Sequence, residues 1–480
     1  MSASFTLIGT SLLALLLAGY VAQKYLPAPT PKIAGIDLGT TYSSIGVYHA
    51  VSGHTDVIPD SNGRKSIPSV VAYLPNGTVL VGFEALAQAE RNPRGTLYDA
   101  KRFIGRRFSH SREDSNTFLQ DKKRYSFRLE LNDDGYAYFL VPQRGTDGNE
   151  AETWRRVTPE EVGAAVVSHL LRMAEDWAQL SIRRVVMSVP AEFNEEQRNA
   201  TRRVAQLAGG VEVWRVVSEP TAASLAYGLE RKAGVAHVMV VDAGGGTLDA
   251  SLLWLQGGLF LARAMAGNNR LGGQDFNQRL LRRFLRRIKA SLNSIPITYE
   301  LAKGEEAEQE LLQQLRTAVE ALKLELTTQH RASFSLNVKL ASGKEEKMKF
   351  EMDRSEFEAL NADLFAAVLA PIRACLSDAG VEKGEVDEIV LVGGSTRIPR
   401  IRQIVGEFFQ KAPNFGVDPE LAVVTGVSVQ AGVIGGGWPL RVAATELPAN
   451  LRKIHVYTHH APADTANSSL TADEATTPSG

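Results

Sequence analysis

The chain contains Gly35-Ile-Asp-Leu-Gly-Thr-Thr-Tyr-Ser-Ser44 and, further on, Val241-Asp-Ala-Gly-Gly-Gly-Thr-Leu-Asp-Ala-Ser251. In both stretches an apolar run ends in an aspartate, a Gly/Thr turn follows, and an alternating apolar pattern resumes, which predicts strand, tight turn and strand. Glycine lets backbone N–H groups approach an anion, threonine adds a hydroxyl donor, and aspartate can hold a hydrated cation. The repeated pattern therefore predicts two facing hairpins that hold a phosphate chain and its metal, in an α/β fold built by duplication.

The bulk composition limits the classes of function. A length of 480 residues is enough for about three domains or two large lobes, and the composition is 44% hydrophobic and 22% charged. The net charge of −1 gives no reason to expect a nucleic-acid partner. Cys375 is the only cysteine, so no intrachain disulfide can form. Residues 279–289 form a basic stretch with helical spacing, which we interpret as a solvated helix face, with a partner-binding patch as the alternative.

The N-terminus carries targeting information. Residues 2–23 contain no charged side chain, and as a helix they would be about 33 Å long. We predict a signal peptide or signal anchor over residues 1–22 and a Pro-rich spacer over 23–31. Cleavage and anchoring both stay open, and contact with a membrane is expected only through residues 5–22 if they are not cleaved. In a lumenal domain, the sequons at Asn76, Asn199 and Asn467 would be available for glycosylation, although Asn199 falls in a predicted helix.

Three further segments carry chemistry-bearing residues. There is no Gly-x-x-x-x-Gly-Lys-Ser/Thr segment and no Gly-x-Gly-x-x-Gly fingerprint. Instead the chain has Val392-Gly-Gly-Ser-Thr-Arg397, Val217-Ser-Glu-Pro-Thr-Ala-Ala223 and Tyr98-Asp-Ala-Lys-Arg-Phe-Ile-Gly105. Taken singly, they can also be a structural βα turn, a helix N-cap and solvated helix charges, respectively.

Together with the two hairpins, these segments resemble the ATPase domain of the 70-kDa heat-shock chaperones, within the actin/sugar-kinase superfamily. The resemblance runs from Ile33 to about Gly437 and includes Val189-Pro-Ala191, Gly272-Gly-Gln-Asp-Phe276 and residues 424–432. It implies a duplicated actin-like (ribonuclease H-like) two-lobed ATPase with the nucleotide in the central cleft. The lobes would span residues 32–231 and 232–417, followed by a helix returning to lobe I over 418–437 and a polar tail over 438–480.

The resemblance also implies a role for individual residues. Lys101 would orient the attacking water beside the γ-phosphate, Glu219 and Thr247 would order that water, and Asp242 would accept its proton. Mg²⁺ would be held through water by Asp37, Asp242 and Asp249, with ATP and ADP as ligands and K⁺ as a further candidate cation. Pro190 and Arg198 would form the family's relay between the nucleotide and the surface. The residues expected to contact nucleotide are Thr40, Thr41, Tyr42, Gly244, Gly245, Gly246, Gly272, Gly273, Glu320, Lys323, Thr327, Gly393, Gly394, Ser395, Arg397 and Glu420.

Three positions depart from the family pattern. Leu324 stands where an arginine usually stacks on adenine, so a cation–π contact is lost. Thr327 replaces a serine near the ribose, and Gln274 replaces a glutamate. We therefore expect ATP binding weaker than is usual in the family, with hydrolysis retained.

The functional expectation is a Mg²⁺-dependent ATPase of the endoplasmic reticulum lumen or microsome, acting in protein processing or quality control. The chain ends without the family's peptide-binding domain, so we expect activity independent of peptide and most like the family's microsomal stress-70 ATPase cores. The alternative is a nucleotide-gated module that regulates co-chaperones or exchange factors with little turnover. A small-molecule kinase of the same superfamily is a third, less favoured interpretation.

Overall fold

The computed structural model describes most of the chain between residues 33 and 435. The described residues are 11–15, 17–19, 33–49, 52–89, 91–109, 118–119, 122, 125–143, 153–179, 181–293, 305–340, 344–414, 416–435, 444–447 and 451–456. The predicted spacer, the sequon at Asn467 and residues 457–480 of the predicted tail lie outside them. Of the predicted signal segment, residues 11–15 and 17–19 are described, and they are helical.

The elements alternate between strands and helices, as the sequence predicts. The described strands are β1 (Ile33–Leu38), β2 (Tyr42–His49), β3 (His54–Val57), β4 (Ile67–Pro68), β5 (Val71–Tyr73), β6 (Val79–Val81), β7 (Thr96–Leu97), β8 (Arg128–Leu131), β9 (Ala137–Gln143), β10 (Thr153–Val157), β11 (Arg184–Val189), β12 (Glu212–Ser218), β13 (His237–Ala243), β14 (Leu248–Gln256), β15 (Leu259–Asn268), β16 (Arg331–Lys339), β17 (Glu345–Asp353), β18 (Glu388–Val392), β19 (Thr445–Glu446) and β20 (Ile454–His455). The described α-helices are α1 (Phe83–Ala87), α2 (Pro159–Ala178), α3 (Glu195–Leu207), α4 (Glu219–Ala226), α5 (Gly273–Asn293), α6 (Glu305–Thr328), α7 (Arg354–Leu360), α8 (Ala362–Ala367), α9 (Leu369–Ala379), α10 (Pro399–Phe409) and α11 (Ala422–Ile434).

The chain divides into two compact units. The first consists of Met1–Val235, Trp254–Leu261 and Gly416–Asn450, and the second of Ala236–Leu253, Ala262–Phe415 and Leu451–Gly480. The predicted lobe boundaries, after residues 231 and 417, lie within a few residues of the unit boundaries. Residues 254–261 fall in the predicted second lobe. In the structure they belong to the first unit, although in the chain they lie between two stretches of the second unit.

The sheet of the first unit runs in the order β12-β11-β1-β2-β3. Strand β1 pairs antiparallel with β2 through the predicted hairpin and parallel with β11, which comes much later in the chain. Helix α11 packs against β1, β2 and α4. That close approach depends on glycine, because a Cβ on Gly35 would lie 2.4 Å from the backbone nitrogen of Ser428.

The second unit repeats this arrangement with β18-β13-β14-β15. Strand β13 is joined to β14 by the second Gly/Thr turn and pairs parallel with β18, again from much later in the chain. The hairpin β16–β17 pairs antiparallel from Arg331 opposite Asp353 to Lys339 opposite Glu345. In both units, therefore, a hairpin is flanked by a parallel strand, which agrees with the duplication inferred from sequence.

The basic stretch 279–289 lies on α5, which confirms its predicted helical state. Its arginines are only in part a solvated face. Arg279 binds Asp363, Arg283 lies 2.6 Å from Glu356 Oε1, and Arg287 donates to the Glu351 carbonyl at 3.2 Å. The sequence did not predict these pairs because the acceptors lie more than 60 positions away in the chain.

Part of the predicted tail is ordered strand. Strand β19 pairs with β15 at Leu259 and Phe260, and β20 pairs with β15 at Ala266 and Gly267. The Ala444 carbonyl accepts hydrogen bonds from Arg215 at 2.9 Å and Gln430 at 2.8 Å. Residues 444–447 and 451–456 of the predicted tail therefore each contain a short strand that pairs with β15. Two-residue strands are too short to show a period in the sequence.

Among the described helices, none taken singly combines the length and apolar composition needed to cross a membrane. One pair, Arg354–Leu360 with Ala362–Ala379, meets the requirement jointly but is bent by 69° at its break. Several of its side chains, including Phe357, Phe365 and Cys375, lie in the hydrophobic core of the second unit.

Candidate functional site

The first Gly/Thr turn is held by two serine side chains. The backbone N–H of Gly39 donates to Ser43 Oγ at 3.2 Å, and Ser69 Oγ donates to the Gly39 carbonyl at 2.8 Å. The two hydroxyls are themselves 2.8 Å apart and buried. Thr40 and Thr41 are partly exposed at this turn, and Tyr42 is 49% exposed. The turn therefore presents the predicted hydroxyls on a fixed backbone.

Lys101 and Glu219 form an ion pair close to the end of the same sheet. Lys101 lies in a 3₁₀ turn, is only 8% exposed, and places Nζ 2.5 Å from Glu219 Oε1. Glu219 is the first residue of α4, where Pro220 favours the helix start. The alternative that Lys101 is a solvated helix charge is therefore excluded. Sequence reasoning named both residues but had no means of showing that they are paired.

The Lys101 ammonium interacts electrostatically with Asp37 as well as with Glu219. Ser188 Oγ donates to Asp37 Oδ1 at 2.6 Å. Burial raises the pKa of Asp37 and of Glu219, while the Lys101 ammonium opposes both shifts and the Asp37 charge further raises the pKa of Glu219. Ser188 was not predicted from the sequence. The feature that could have identified it is a single hydroxyl in the apolar strand β11, where a buried polar group needs a hydrogen-bond partner.

The predicted relay residues lie just beyond β11 in the first unit. Pro190 follows the strand directly, and its carbonyl accepts from the Phe193 N–H at 3.1 Å. Arg198, in the first turns of α3, donates through Nε to the Phe193 carbonyl at 3.1 Å. The loop thus connects Pro190 to Arg198 through Phe193, which the sequence did not single out.

The second Gly/Thr turn packs against Gly272 and Gly273. We call these two residues, together with the three glycines of the turn, the glycine layer (Gly244, Gly245, Gly246, Gly272, Gly273). The Gly273 N–H donates to the Gly244 carbonyl at 3.1 Å. A Cβ on Gly272 would lie 2.6 Å from the nitrogen of Gly246, closer than real Cβ contacts come. Thr247 closes the turn through its carbonyl, which accepts from the Gly244 N–H at 3.0 Å. At Gly272 there is no room for a side chain, so backbone groups meet directly at this point.

The turn after β18 is attached to the glycine layer. Gly393 has φ 83°, and a Cβ there would lie 2.4 Å from the Ala243 carbonyl oxygen and 2.6 Å from Asp242 Oδ1. Ser395 Oγ donates to the Gly244 carbonyl at 2.8 Å. Gly394 and Arg397 belong to the same short 3₁₀ turn. The structure therefore brings the predicted 393–397 segment to the second Gly/Thr turn and to Asp242.

Helix α6 supplies two further predicted residues. Lys323, 8% exposed, donates to the Gly273 carbonyl at 3.3 Å and pairs with Glu320 at 2.8 Å. Asn277, which the sequence analysis did not name, donates to Glu320. Thr327 is not directed to this group, because its hydroxyl donates to the Leu324 carbonyl within the helix at 2.6 Å.

The remaining predicted positions are exposed. Leu324 is 49% exposed on α6, at the place where an arginine was expected. Gln274 is exposed at the start of α5. Glu420 lies in the first unit, in an exposed turn where its N–H donates to Asp418.

The carboxylates fit a cation that keeps its water. Among the described residues, no group of three or more His, Cys, Asp or Glu side chains could enclose a metal ion. Asp37 is the second-last residue of β1 in the first unit, and Asp242 is the second-last residue of β13 in the second. Each carries hard oxygen donors, which suit Mg²⁺, an ion that usually retains several waters. Asp249 has a different partner: its Oδ1 is 2.6 Å from Lys453 Nζ.

Comparison with known proteins identifies the family of this chain. The model of the family described as Hsp70 protein matches residues 33–445. The chain belongs to the Hsp70 family. It is 45% identical to heat shock 70 kDa protein 13 of Homo sapiens and to that of Bos taurus, and 44% identical to that of Mus musculus. Each match covers 93% of this chain and 98% of the relative.

Membership of the Hsp70 family confirms two predictions, the family and the fold class. Hsp70 proteins are chaperone ATPases that bind ATP or ADP with Mg²⁺ and work with co-chaperones. The two units, with their equivalent hairpins and parallel strands, agree with the two-lobed actin-like fold of that family.

Proposed function

We propose that this chain binds ATP with Mg²⁺ and hydrolyses it, using its own residues and needing no bound peptide. The observation that carries the proposal is the Lys101–Glu219 pair, with Lys101 buried close enough to Asp37 to act on its carboxyl as well. Burying an ammonium is costly, and a pair of this kind is weak evidence for stability. Function is the better reason for its presence, since perturbed ionisable groups cluster at functional sites.

The residues of the chain would divide the work. Lys101 neutralises charge that develops on the transferred phosphoryl group, and together with Glu219 it orients the attacking water. Asp242 accepts the proton from that water. The glycine layer and residues 393–395 bind the nucleotide through backbone groups, and Glu320 with Lys323 holds the ribose side. When bound, Mg²⁺ would be held through water by Asp37 and Asp242, with Asp249 as a further metal ligand, and would supply charge neutralisation on the phosphate oxygens.

The test is single-turnover hydrolysis of γ-labelled ATP by the full chain with Mg²⁺ and no added phosphate acceptor. We expect phosphate release that Lys101→Ala abolishes. The matched control is Lys122→Ala, which removes a lysine from the exposed Lys122–Glu130 pair of the same unit and should leave the rate unchanged. Tight nucleotide binding without turnover would favour the regulatory module instead. Transfer of phosphate only to an added small molecule would favour the kinase.

We also propose that the protein enters the endoplasmic reticulum. Support comes from the uncharged N-terminal run and from its exposed leucines, such as Leu13 and Leu15, in the described helical residues. Asn76 lies in an exposed turn, whereas the sequon of Asn199 lies in α3 with the Thr201 hydroxyl bonded to the Gln197 carbonyl. In cells we expect an endoglycosidase H-sensitive shift that Asn76→Gln abolishes and Asn199→Gln does not. A protein that carries no glycan at Asn76 and fractionates with the cytosol would refute this proposal.

A further inference from the structure

A C-terminal segment, residues 451–456, is bound in the second unit. Its strand β20 adds to β15, and the Val456 N–H donates to the Gly267 carbonyl at 2.8 Å. Ile454 and Val456 pack against the hydrophobic core of that unit. Backbone pairing and two apolar anchors thus fix the register of the segment.

That register places Lys453 on a carboxylate of the candidate site. The Lys453 ammonium lies 2.6 Å from Asp249 Oδ1, and the lysine side chain is only 8% exposed. Gly267 makes this possible, because a Cβ there would lie 2.0 Å from Asp249 Oδ1 and 2.4 Å from Lys453 Cε. The lysine stem therefore passes over β15 at Gly267, which has no side chain in its way, and its ammonium lies against Asp249.

We propose that residues 451–456 are a built-in competitor for the cation at Asp249. The Lys453 ammonium occupies the position that a metal ion would need at this carboxylate, so docking of the segment and binding of the cation oppose each other. This inference rests on the proposed function only in assigning Asp249 to a cation. It goes beyond that function by assigning the chain an internal regulator.

The opposition follows from charge. A carboxylate that is neutralised by an ammonium attracts a divalent cation less, and two cations at one buried oxygen repel each other strongly. By linkage, the factor by which the docked segment weakens binding of the cation equals the factor by which the cation weakens docking of the segment. Release is feasible because β20 is only two residues long and Asp249 keeps 27% of its side chain exposed.

The experiment uses the full chain without nucleotide and Mn²⁺ as the probe, followed by electron paramagnetic resonance. Lys453→Gln removes the ammonium. Arg452→Gln removes the same charge one residue earlier, from an exposed side chain, and is the matched control. We expect Lys453→Gln to bind Mn²⁺ about fivefold or more tightly than the natural chain, and Arg452→Gln to remain within about twofold. The gain should vanish in Lys453→Gln/Asp249→Asn, which places it at Asp249.

Hydrogen exchange gives the reciprocal readout. In the natural chain, Mn²⁺ should speed exchange of the Val456 amide, because the segment is displaced. Equal, weaker or unmeasurable Mn²⁺ binding by Lys453→Gln, or protection of residues 451–456 that Mn²⁺ leaves unchanged, overturns the inference. No nucleotide is present, so the result does not depend on hydrolysis. A chain that shows the Mn²⁺ antagonism but hydrolyses no ATP would refute the proposed function alone.

Discussion

The Lys101–Glu219 pair gives the sharpest test of how the first unit combines stability with chemistry. Removing one member of a buried pair leaves an uncompensated charge, which costs about 3–5 kcal/mol, whereas replacing both by neutral groups of similar size is often nearly neutral. We therefore expect Lys101→Met to lower the free energy of unfolding by about 3 kcal/mol or more at pH 8. Lys101→Met/Glu219→Gln should regain most of that loss. Hydrolysis should be lost in both.

The pH dependence has a definite sign. Burial already raises the pKa of Glu219, and Lys101 is the cation that opposes this shift. Without Lys101 the pKa of Glu219 rises further, and a carboxyl whose folded pKa is raised is stable when protonated and loses stability as pH rises through that pKa. The cost of Lys101→Met should therefore grow from pH 5 to pH 8. In the double variant, which has no carboxyl at 219, this added dependence should disappear.

Urea unfolding followed by tryptophan fluorescence is the assay, because every tryptophan among the described residues belongs to the first unit: Trp154, Trp177, Trp214 and Trp254. The exposed pair Lys122–Glu130 again provides the control, since surface pairs contribute about 0–1 kcal/mol. The reasoning fails if Lys101→Met costs less than about 1 kcal/mol. It also fails if the two single losses, Lys101→Met and Glu219→Gln, simply add in the double variant.

Three other predictions concern the second unit. Leu324→Arg should tighten ADP binding about 2- to 30-fold in calorimetry, from a cation–π contact of about 0.5–2 kcal/mol. The control Leu207→Arg, at a leucine that is 58% exposed in the first unit, should not tighten it. No gain at position 324 would contradict the expected adenine position. Gly272→Ala should weaken ADP binding at least fivefold, because the added Cβ would lie 2.6 Å from the nitrogen of Gly246 and overpacking costs about 1–3 kcal/mol. The control is Gly384→Ala, whose added Cβ meets nothing within 4 Å, and it should bind ADP normally. Cys375, whose pKa burial raises to about 12, should stay unlabelled by a thiol reagent at pH 8 until urea unfolds the second unit; stoichiometric labelling within minutes of the native chain would contradict its burial.

The sequence predicted most of what repeats or recurs locally. Apolar runs that end in an aspartate and are followed by turn glycines located the hairpins β1–β2 and β13–β14, because those signals lie within one short stretch of chain. The Lys101–Glu219 pair was predicted only through the family resemblance, since the two residues are 118 positions apart. Their burial and their bond are properties of the folded sheet.

Most of the residues that the sequence missed act through a partner far away in the chain, and Phe193, bonded to Pro190 and Arg198 within five positions, is the exception. Ser188 is informative only because Asp37 lies opposite it on the neighbouring strand. Ser69 acquires its role from Gly39, 30 positions earlier. Lys453 was counted in a polar tail because its meaning depends on Asp249 and on a glycine in β15. Local pattern carries no record of such contacts.

The two Gly/Thr turns share a sequence pattern, and in both of them a serine hydroxyl fixes the backbone. Ser69 Oγ donates to the Gly39 carbonyl in the first turn, and Ser395 Oγ donates to the Gly244 carbonyl in the second. A hydrogen bond contributes about 0.5–1.5 kcal/mol, so removing either hydroxyl should loosen its turn by a graded amount. Added atoms act differently, because a Cβ on Gly39 would lie 2.0 Å from the Tyr42 carbonyl oxygen and a Cβ on Gly272 would lie 2.6 Å from the Gly246 nitrogen. Even alanine at Gly39 or Gly272 therefore requires the backbone to move, whereas Gly244, whose Cβ would meet nothing closer than 3.9 Å, has room for one.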